Sequence, residues 1–140
     1  MSSISKSFSG QILLEQQEKL LAVDSSKQQL SIGVPKEDFK NEKRVALTPY
    51  TVKLLTETGI NVLIESGAGE ASKYSDMEYS ESGAEIIEQQ KTIFKADVVV
   101  KIAPPSMKQI DFLRKNQVLI SSLNIKTLDK MCFMKRDEST

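Results

Sequence analysis

The sequence predicts an α/β domain: a parallel sheet of about five strands with helices on both faces. Three observations carry that expectation. Short apolar, β-branched runs alternate with helical patterns of about ten residues from Leu30 to Leu123, as the crossovers of a parallel sheet require. Helix-start and helix-stop residues fall at the joints between those runs, notably Thr48-Pro49, Gly59, Ser75 and Gly83. The chain, at 140 residues, has room for one ordinary domain with one core.

Each element has its own reason. Residues 1–29 form a helical extension: Ile12, Leu13, Leu20 and Leu21 fit one stripe, thinned by Gln16 and Gln17, and Asp24–Lys27 is a polar link. It reads as a helix packed loosely on the surface, with the holding of a partner subunit as the lesser alternative. LSIGV is the first strand, ended by Pro35, which has no N–H for a ladder. Thr48 caps the next helix and Pro49 fits its first position; Val52 and Leu55 face inward, and Gly59 supplies the left-handed stop. INVLIE is the second strand. Ser75 to Glu78 spells a capping box for a helix ending at Gly83. AEII is a third, short strand, and EQQKTIFKA is helical by pattern. DVVVKIA is the fourth and most apolar strand, its three valines expected to be covered on both faces. Pro104-Pro105 breaks it. SMKQIDFLRK then forms a helix with Met107, Ile110 and Leu113 inward, and QVLISSL is the fifth strand. The architecture is Rossmann-like or flavodoxin-like. A further helix starts at about Thr127, but no strand follows it, and residues 129–140 are a charged tail. The sheet therefore reads as incomplete at its C-terminus, a domain cut short with an apolar sheet edge or helix seat uncovered and open to self-association.

Composition excludes several classes. The 19 basic and 19 acidic residues cancel, so no net field favours nucleic acid or an anionic membrane. No apolar run approaches the ~20 residues of a membrane span, and the N-terminus lacks the features of a secretory leader. Cys132 is the single cysteine, which rules out an internal disulfide framework and fits a reducing, cytoplasmic setting. The chain has no histidine, which removes Ser-His-Asp and Cys-His catalysis and His-based metal sites together. Any chemistry must use lysine, arginine, carboxylates or a cofactor.

Three constellations stand out. Gly67-Ala68-Gly69-Glu70-Ala71-Ser72 follows a strand, but a dinucleotide fingerprint needs a third Gly or Ala and a helix opening on the pyrophosphate. Position 72 is Ser and the cap comes later, at Ser75, so a strand-to-helix loop is the better reading. Arg44 stands where a charged loop meets Val45-Ala46-Leu47, and its planar fork could hold a carboxylate with two hydrogen bonds. The competing reading is a surface salt bridge to Glu37 or Glu42. Lys101 ends the most apolar strand, and ligands of such sheets gather at strand C-termini. Its competing reading is a stem packed on the sheet with the ammonium reaching solvent.

The run GVPKEDFKNEKRVALTPYTVKLLTETG, Gly33 to Gly59, closely resembles the signature segment of the alanine dehydrogenase and pyridine nucleotide transhydrogenase family. The pattern Gly-aliphatic-Pro-x-Glu, Asn-Glu, Arg-Val-Ala-x-Ser/Thr-Pro falls on Gly33, Pro35, Glu37, Asn41, Glu42, Arg44, Val45, Ala46, Thr48 and Pro49. The resemblance spans residues 30–128 and implies the N-terminal, substrate-side domain. It implies that Arg44 and Lys101 bind substrate, that no residue of this chain is catalytic, and that NAD is bound by a second domain beyond residue 140. The departures matter as much. Alanine dehydrogenases carry a second lysine where this chain has Ala103, and a catalytic histidine where it has Asn124. Transhydrogenase alpha subunits lack both, and their Lys-Val-Asn-Ala-Pro is close to Lys101-Ile102-Ala103-Pro104-Pro105. The implied function is hydride transfer in an NAD(P)-linked oxidoreductase, transhydrogenase-like rather than alanine-deaminating, the chain alone not turning over. Implied partners are the dinucleotide-binding domain, an NADP-binding partner subunit and further copies in a homo-oligomer. The rival readings are a non-catalytic remnant or interaction domain, and a small-molecule binding module using Arg44.

Overall fold

Ser31–Val34 (β1) lies at the centre of a five-stranded sheet in the computed structural model, which describes residues 28–122. The helix expected within residues 1–29, apart from Gln28 and Gln29, lies outside the described residues, as do the Leu123-Asn124 pair, the helix from Thr127 and the charged tail. After β1 come α1 (Pro49–Glu57), β2 (Asn61–Glu65), a 3-10 turn (Glu70–Ser72), α2 (Asp76–Glu81) and β3 (Glu85–Ile87). The second half holds α3 (Gln90–Ile93), β4 (Val98–Val100), α4 (Met107–Phe112) and β5 (Val118–Ile120). The strand order is β3-β2-β1-β4-β5 and every pairing is parallel.

That order winds outward from β1 in one direction, then returns across it to wind the other way. Right-handed crossovers then place α1 and α2 on one face and α3 and α4 on the other. The packing agrees. Val34, Val62 and Ile64 share a core with Val52 of α1 and Tyr79 of α2. On the opposite face a Cβ at Gly33 would come within 2.4 Å of the Ile93 carbonyl oxygen, so α3 lies directly on the β1 backbone. Only glycine allows that approach.

Local signals account for the helix ends. Thr48 accepts from the Thr51 N–H with Pro49 at the first position, and Gly59 turns the chain at φ +87°. Ser75 and Glu78 close a reciprocal capping box on α2, and the Ser75 N–H holds the Glu78 carboxyl below the usual carboxylate range. The Tyr79 hydroxyl donates to the Leu47 carbonyl at 2.8 Å, and burial pushes its pKa up to about 12. At the base of the sheet Asp97 accepts from both the N–H and the hydroxyl of Ser31, which holds its carboxyl low and pins β4 beside β1.

Three expectations need correction. The fourth strand is Val98–Val100 rather than DVVVKIA: Lys101 N–H still reaches the Ile120 carbonyl, but the Ile102 N–H turns away to Glu37 Oε1 at 2.6 Å. Its valines are not all covered, since Val99 is buried while Val98 and Val100 are half-buried. In α4, Met107 is 46% exposed and Gln109 and Ile110 go inward. A capping box between Ser106 and Gln109 sets that rotation, because it draws the Gln109 side chain back over the first turn. Finally, α3 is a single turn with no side-chain cap at Gln89.

Candidate functional site at the strand exits

Open α/β sheets bind ligands where the winding reverses, outside the carboxyl ends of the strands. Here that point lies between β1 and β4. A cavity of about 550 Å³ opens there, walled by Lys36, Glu37 and Asp38 from the β1 exit and Lys101, Ala103 and Pro104 from the β4 exit. Pro35 stops the first strand, and the fourth ends at Val100 ahead of Pro104-Pro105, so both leave the sheet beside the cavity.

The floor is a buried ion pair. Lys101 Nζ donates to Glu37 Oε2 at 3.1 Å, and both residues are about 95% buried. An ammonium has three hydrogens. The other two go to the carbonyl oxygens of Ala103 at 2.7 Å and Pro104 at 3.3 Å. Glu37 is engaged at both oxygens, the second one accepting the Ile102 N–H. The β4 exit is thus folded around a carboxylate from the β1 exit. Lys101 neither reaches solvent nor stands unpaired.

A second polar chain backs the cavity. Glu65, at the end of β2, accepts from the Lys36 N–H at 2.6 Å and from Gln90 Nε2 at 2.9 Å. Gln90 in turn accepts from Gln109, whose own oxygen takes the Ser106 N–H. Four strand exits and helix starts are joined this way. The Lys36 ammonium lies 4.7 Å above the Phe39 ring and 3.9 Å from Glu70 Oε2.

Arg44 is elsewhere. It does not line the cavity, its side chain is 75% exposed, and its fork is closed by Glu42 through Nε at 2.9 Å and Nη2 at 2.8 Å. That pairing lowers the Glu42 pKa to about 2 and raises that of Arg44. Of the two binding residues expected from the sequence, the fold brings Lys101 to the cavity and leaves Arg44 on a neighbouring loop. The residues missed were Glu37, Glu65, Gln90 and Gln109. Glu37 was visible inside Gly-Val-Pro-Lys-Glu, but its partner is 64 residues away; the Ser106–Gln109 box was legible as S-x-x-Q.

The glycine loop has no free ring of amides. The Gly67 N–H donates to Asp76 Oδ1 and the Ser66 hydroxyl to Asp76 Oδ2, so a carboxylate from α2 occupies the turn. The Ala68 N–H is taken by the Glu65 carbonyl at the end of β2 and the Glu70 N–H by the Gly67 carbonyl. The loop does not fit a pyrophosphate. Among the described residues no group of three His, Cys, Asp or Glu could hold a metal ion, and no helix is long and apolar enough to cross a membrane.

Comparison with known proteins places this architecture. A family model described as "Alanine dehydrogenase/PNT, N-terminal domain" matches residues 33–136. The chain belongs to this family. Alanine dehydrogenase 2 of Staphylococcus aureus (strain USA300) is 35% identical over 102 residues, covering 73% of this chain and 27% of that protein. A solved L-alanine dehydrogenase superposes with a TM-score of 0.69 at 33% identity, over 74% of this chain and 28% of the other. The transhydrogenase from Sinorhizobium meliloti gives 0.67 at 32% identity, over 72% and 31%. The chain thus spans under a third of the length of these relatives. The family's named members are oxidoreductases of two kinds, and similarity to both is nearly equal.

Proposed function

We propose that this domain is the substrate-side part of an NAD(P)-linked oxidoreductase, and that its parent exchanges hydride between NAD(H) and NADP(H) rather than deaminating alanine. The observation that supports the choice is the makeup of the β4 exit. Ala103 lines the cavity with a methyl group, and the Lys101 hydrogens are all donated to protein acceptors. Oxidative deamination needs a group to accept a proton as hydride leaves, and donors that polarise the new carbonyl. A methyl cannot hydrogen-bond, and the amide of Asn124 does not titrate in the useful range. Hydride exchange between two nicotinamides needs only close apposition of the rings.

In this reading NAD is held by a second domain, because the glycine loop here is closed by Asp76. The NADP(H) belongs to a partner subunit, the parent is a cytoplasmic homo-oligomer, and residues 30–128 form one domain between a helical extension and a charged tail. Lys101 shapes the cavity floor, and Arg44 holds a substrate carboxylate only after exchanging Glu42 for it. A non-catalytic interaction domain is the second reading, supported by the same engagement of both cations. Assay of the complete protein separates the possibilities. We expect negligible L-alanine-dependent NAD reduction and measurable transhydrogenation with the NADP-binding partner. Robust alanine turnover would overturn the choice of chemistry, and loss of both activities would favour the non-catalytic domain.

A further inference from the structure

The two faces of the sheet are not equally covered. Residues paired in register point to the same face, so Ile32, Val98 and Val118 form one row and Val100 and Ile120 continue the next. This is the α1/α2 face, since Ile32 pairs with Val62 and Val34 with Ile64, both in the core beneath those helices. Over β1 and β2 that face is fully buried at Val34, Val62 and Ile64. Across β4 and β5 it opens: Val98 and Val100 are half-buried, Val118 is 51% exposed and Ile120 54%. Leu30, two residues before Ile32, adds an exposed rim at the foot of the same face. On the other face the row is better covered, with Val99 buried and its partner Leu119 half-buried. Winding explains the asymmetry. The crossovers β3 to β4 and β4 to β5 both run towards the β5 edge, so their helices lie on the opposite face.

We propose that residues 11–23 dock as an amphipathic helix across the bare half of this face, covering Val98, Val100, Val118 and Ile120. Leu13 and Leu20 lie seven residues apart and mark the centre of the stripe that also carries Ile12 and Leu21. A helix of about 13 residues is roughly 20 Å long, enough to overlie the three-residue strands β4 and β5, each ~10 Å, together with both their ends. The link Asp24–Lys27 leads to Gln28 and Leu30 at the foot of β1, next to the uncovered strands. Four extended residues reach about 13 Å, and β4 and β5 lie one and two strand spacings, ~5 and ~10 Å, from β1. A crossover continuing past β5 in the same direction would lay its helix on the α3/α4 face, whereas a segment arriving from before β1 enters beside the uncovered strands.

Cross-linking in the full chain tests the assignment. With Cys132→Ser as background, Leu20→Cys is combined with Val118→Cys or with Ile120→Cys and oxidised at low protein concentration. The expected product is an internally bridged monomer, with no bridge from Leu20→Cys to Lys108→Cys, an exposed position on α4 of the opposite face. A covalent dimer would assign the face to a second copy and overturn the proposal. So would a bridge from Met131→Cys to Val118→Cys in place of the Leu20 bridge, which would give the seat to the C-terminal segment. An equal bridge to Lys108→Cys, or no bridge at all, would also overturn it. A second measurement needs no disulfide: Leu13→Glu with Leu20→Glu should raise binding of a hydrophobic dye several-fold, and unchanged dye binding counts against the docked helix.

Discussion

Removing the Lys101 ammonium would leave the Glu37 carboxylate in a site with almost no water, holding one amide hydrogen and no counter-charge. Breaking a buried pair on one side costs far more than the pair contributes as a whole. Lys101→Met should therefore destabilise the domain by about 3–5 kcal/mol, read from urea unfolding. Adding Glu37→Gln should recover a large part of that loss, since the amide oxygen still accepts the Ile102 N–H and no charge remains buried. If the single substitution costs under ~1 kcal/mol, water reaches the pair and the cavity floor is softer than its geometry indicates. The Glu42–Arg44 pair has the same charges on an exposed loop, and its signature is in titration rather than stability. Glu42 has a folded pKa lowered from 4.5 to about 2 by the Arg44 hydrogen bond. A depressed carboxylate contributes stability above its unfolded value and loses it as pH falls towards the folded one, here between about 4.5 and 2. Solvent screening makes that contribution small. Following the Glu42 carboxyl by NMR should give a midpoint near 2, moving back towards 4.5 in Arg44→Ala. An unmoved midpoint would mean the fork is not closed in solution.

At the scale of elements, α3 meets β1 backbone to backbone at Gly33. A methyl at position 33 would meet a backbone carbonyl 2.4 Å away, and the nearby Ile93 and Ala96 side chains leave no room to slide. Gly33→Ala should cost about 1–3 kcal/mol, as overpacking does, and a thermal melt checks it. A loss of a few tenths would show that the short α3 moves freely. The same element marks the limit of what the sequence discloses. Features that depend on neighbours in the chain were legible: the Thr48-Pro49 start, the Ser75–Glu78 box, the stops at Gly59 and Gly83, and the order of strands and helices. Features that depend on distant partners were not. The fourth strand ends early because Glu37, 65 residues before Ile102, takes its N–H. The valines of β4 look doubly buried by composition, yet coverage depends on which way each crossover winds. Met107 fits an inward stripe, but the Ser106–Gln109 box sets the rotation and Gln109 goes in to join Gln90. The site divides the same way. Lys101 could be located as the end of an apolar strand, whereas its engagement by three acceptors is a property of the assembled exits.

For the whole molecule, one sheet presents a polar cavity where the winding reverses and an apolar strip where β4 and β5 are exposed on one face. Neither is built for a dinucleotide. A pyrophosphate needs free amides converging at a glycine turn, with a helix N-terminus behind them. The turn here has its Gly67 N–H and the Ser66 hydroxyl both donated to the Asp76 carboxylate, and Glu70 stands beside it. A phosphate entering would have to displace one negative charge and approach another. The cavity is no better suited, because Glu37, Asp38 and Glu65 line it against Lys36 and a Lys101 already engaged. The chain by itself should therefore bind NADH negligibly, and isothermal titration should show no saturable heat into the high-micromolar range. Replacing Asp76 with Asn should not create binding, since the amide oxygen still accepts the Gly67 N–H and the loop keeps its shape. Low-micromolar binding by the unmodified chain would mean that the Gly67–Gly69 turn rearranges to free its amides, and that the division of labour between this domain and a separate nucleotide domain is wrong.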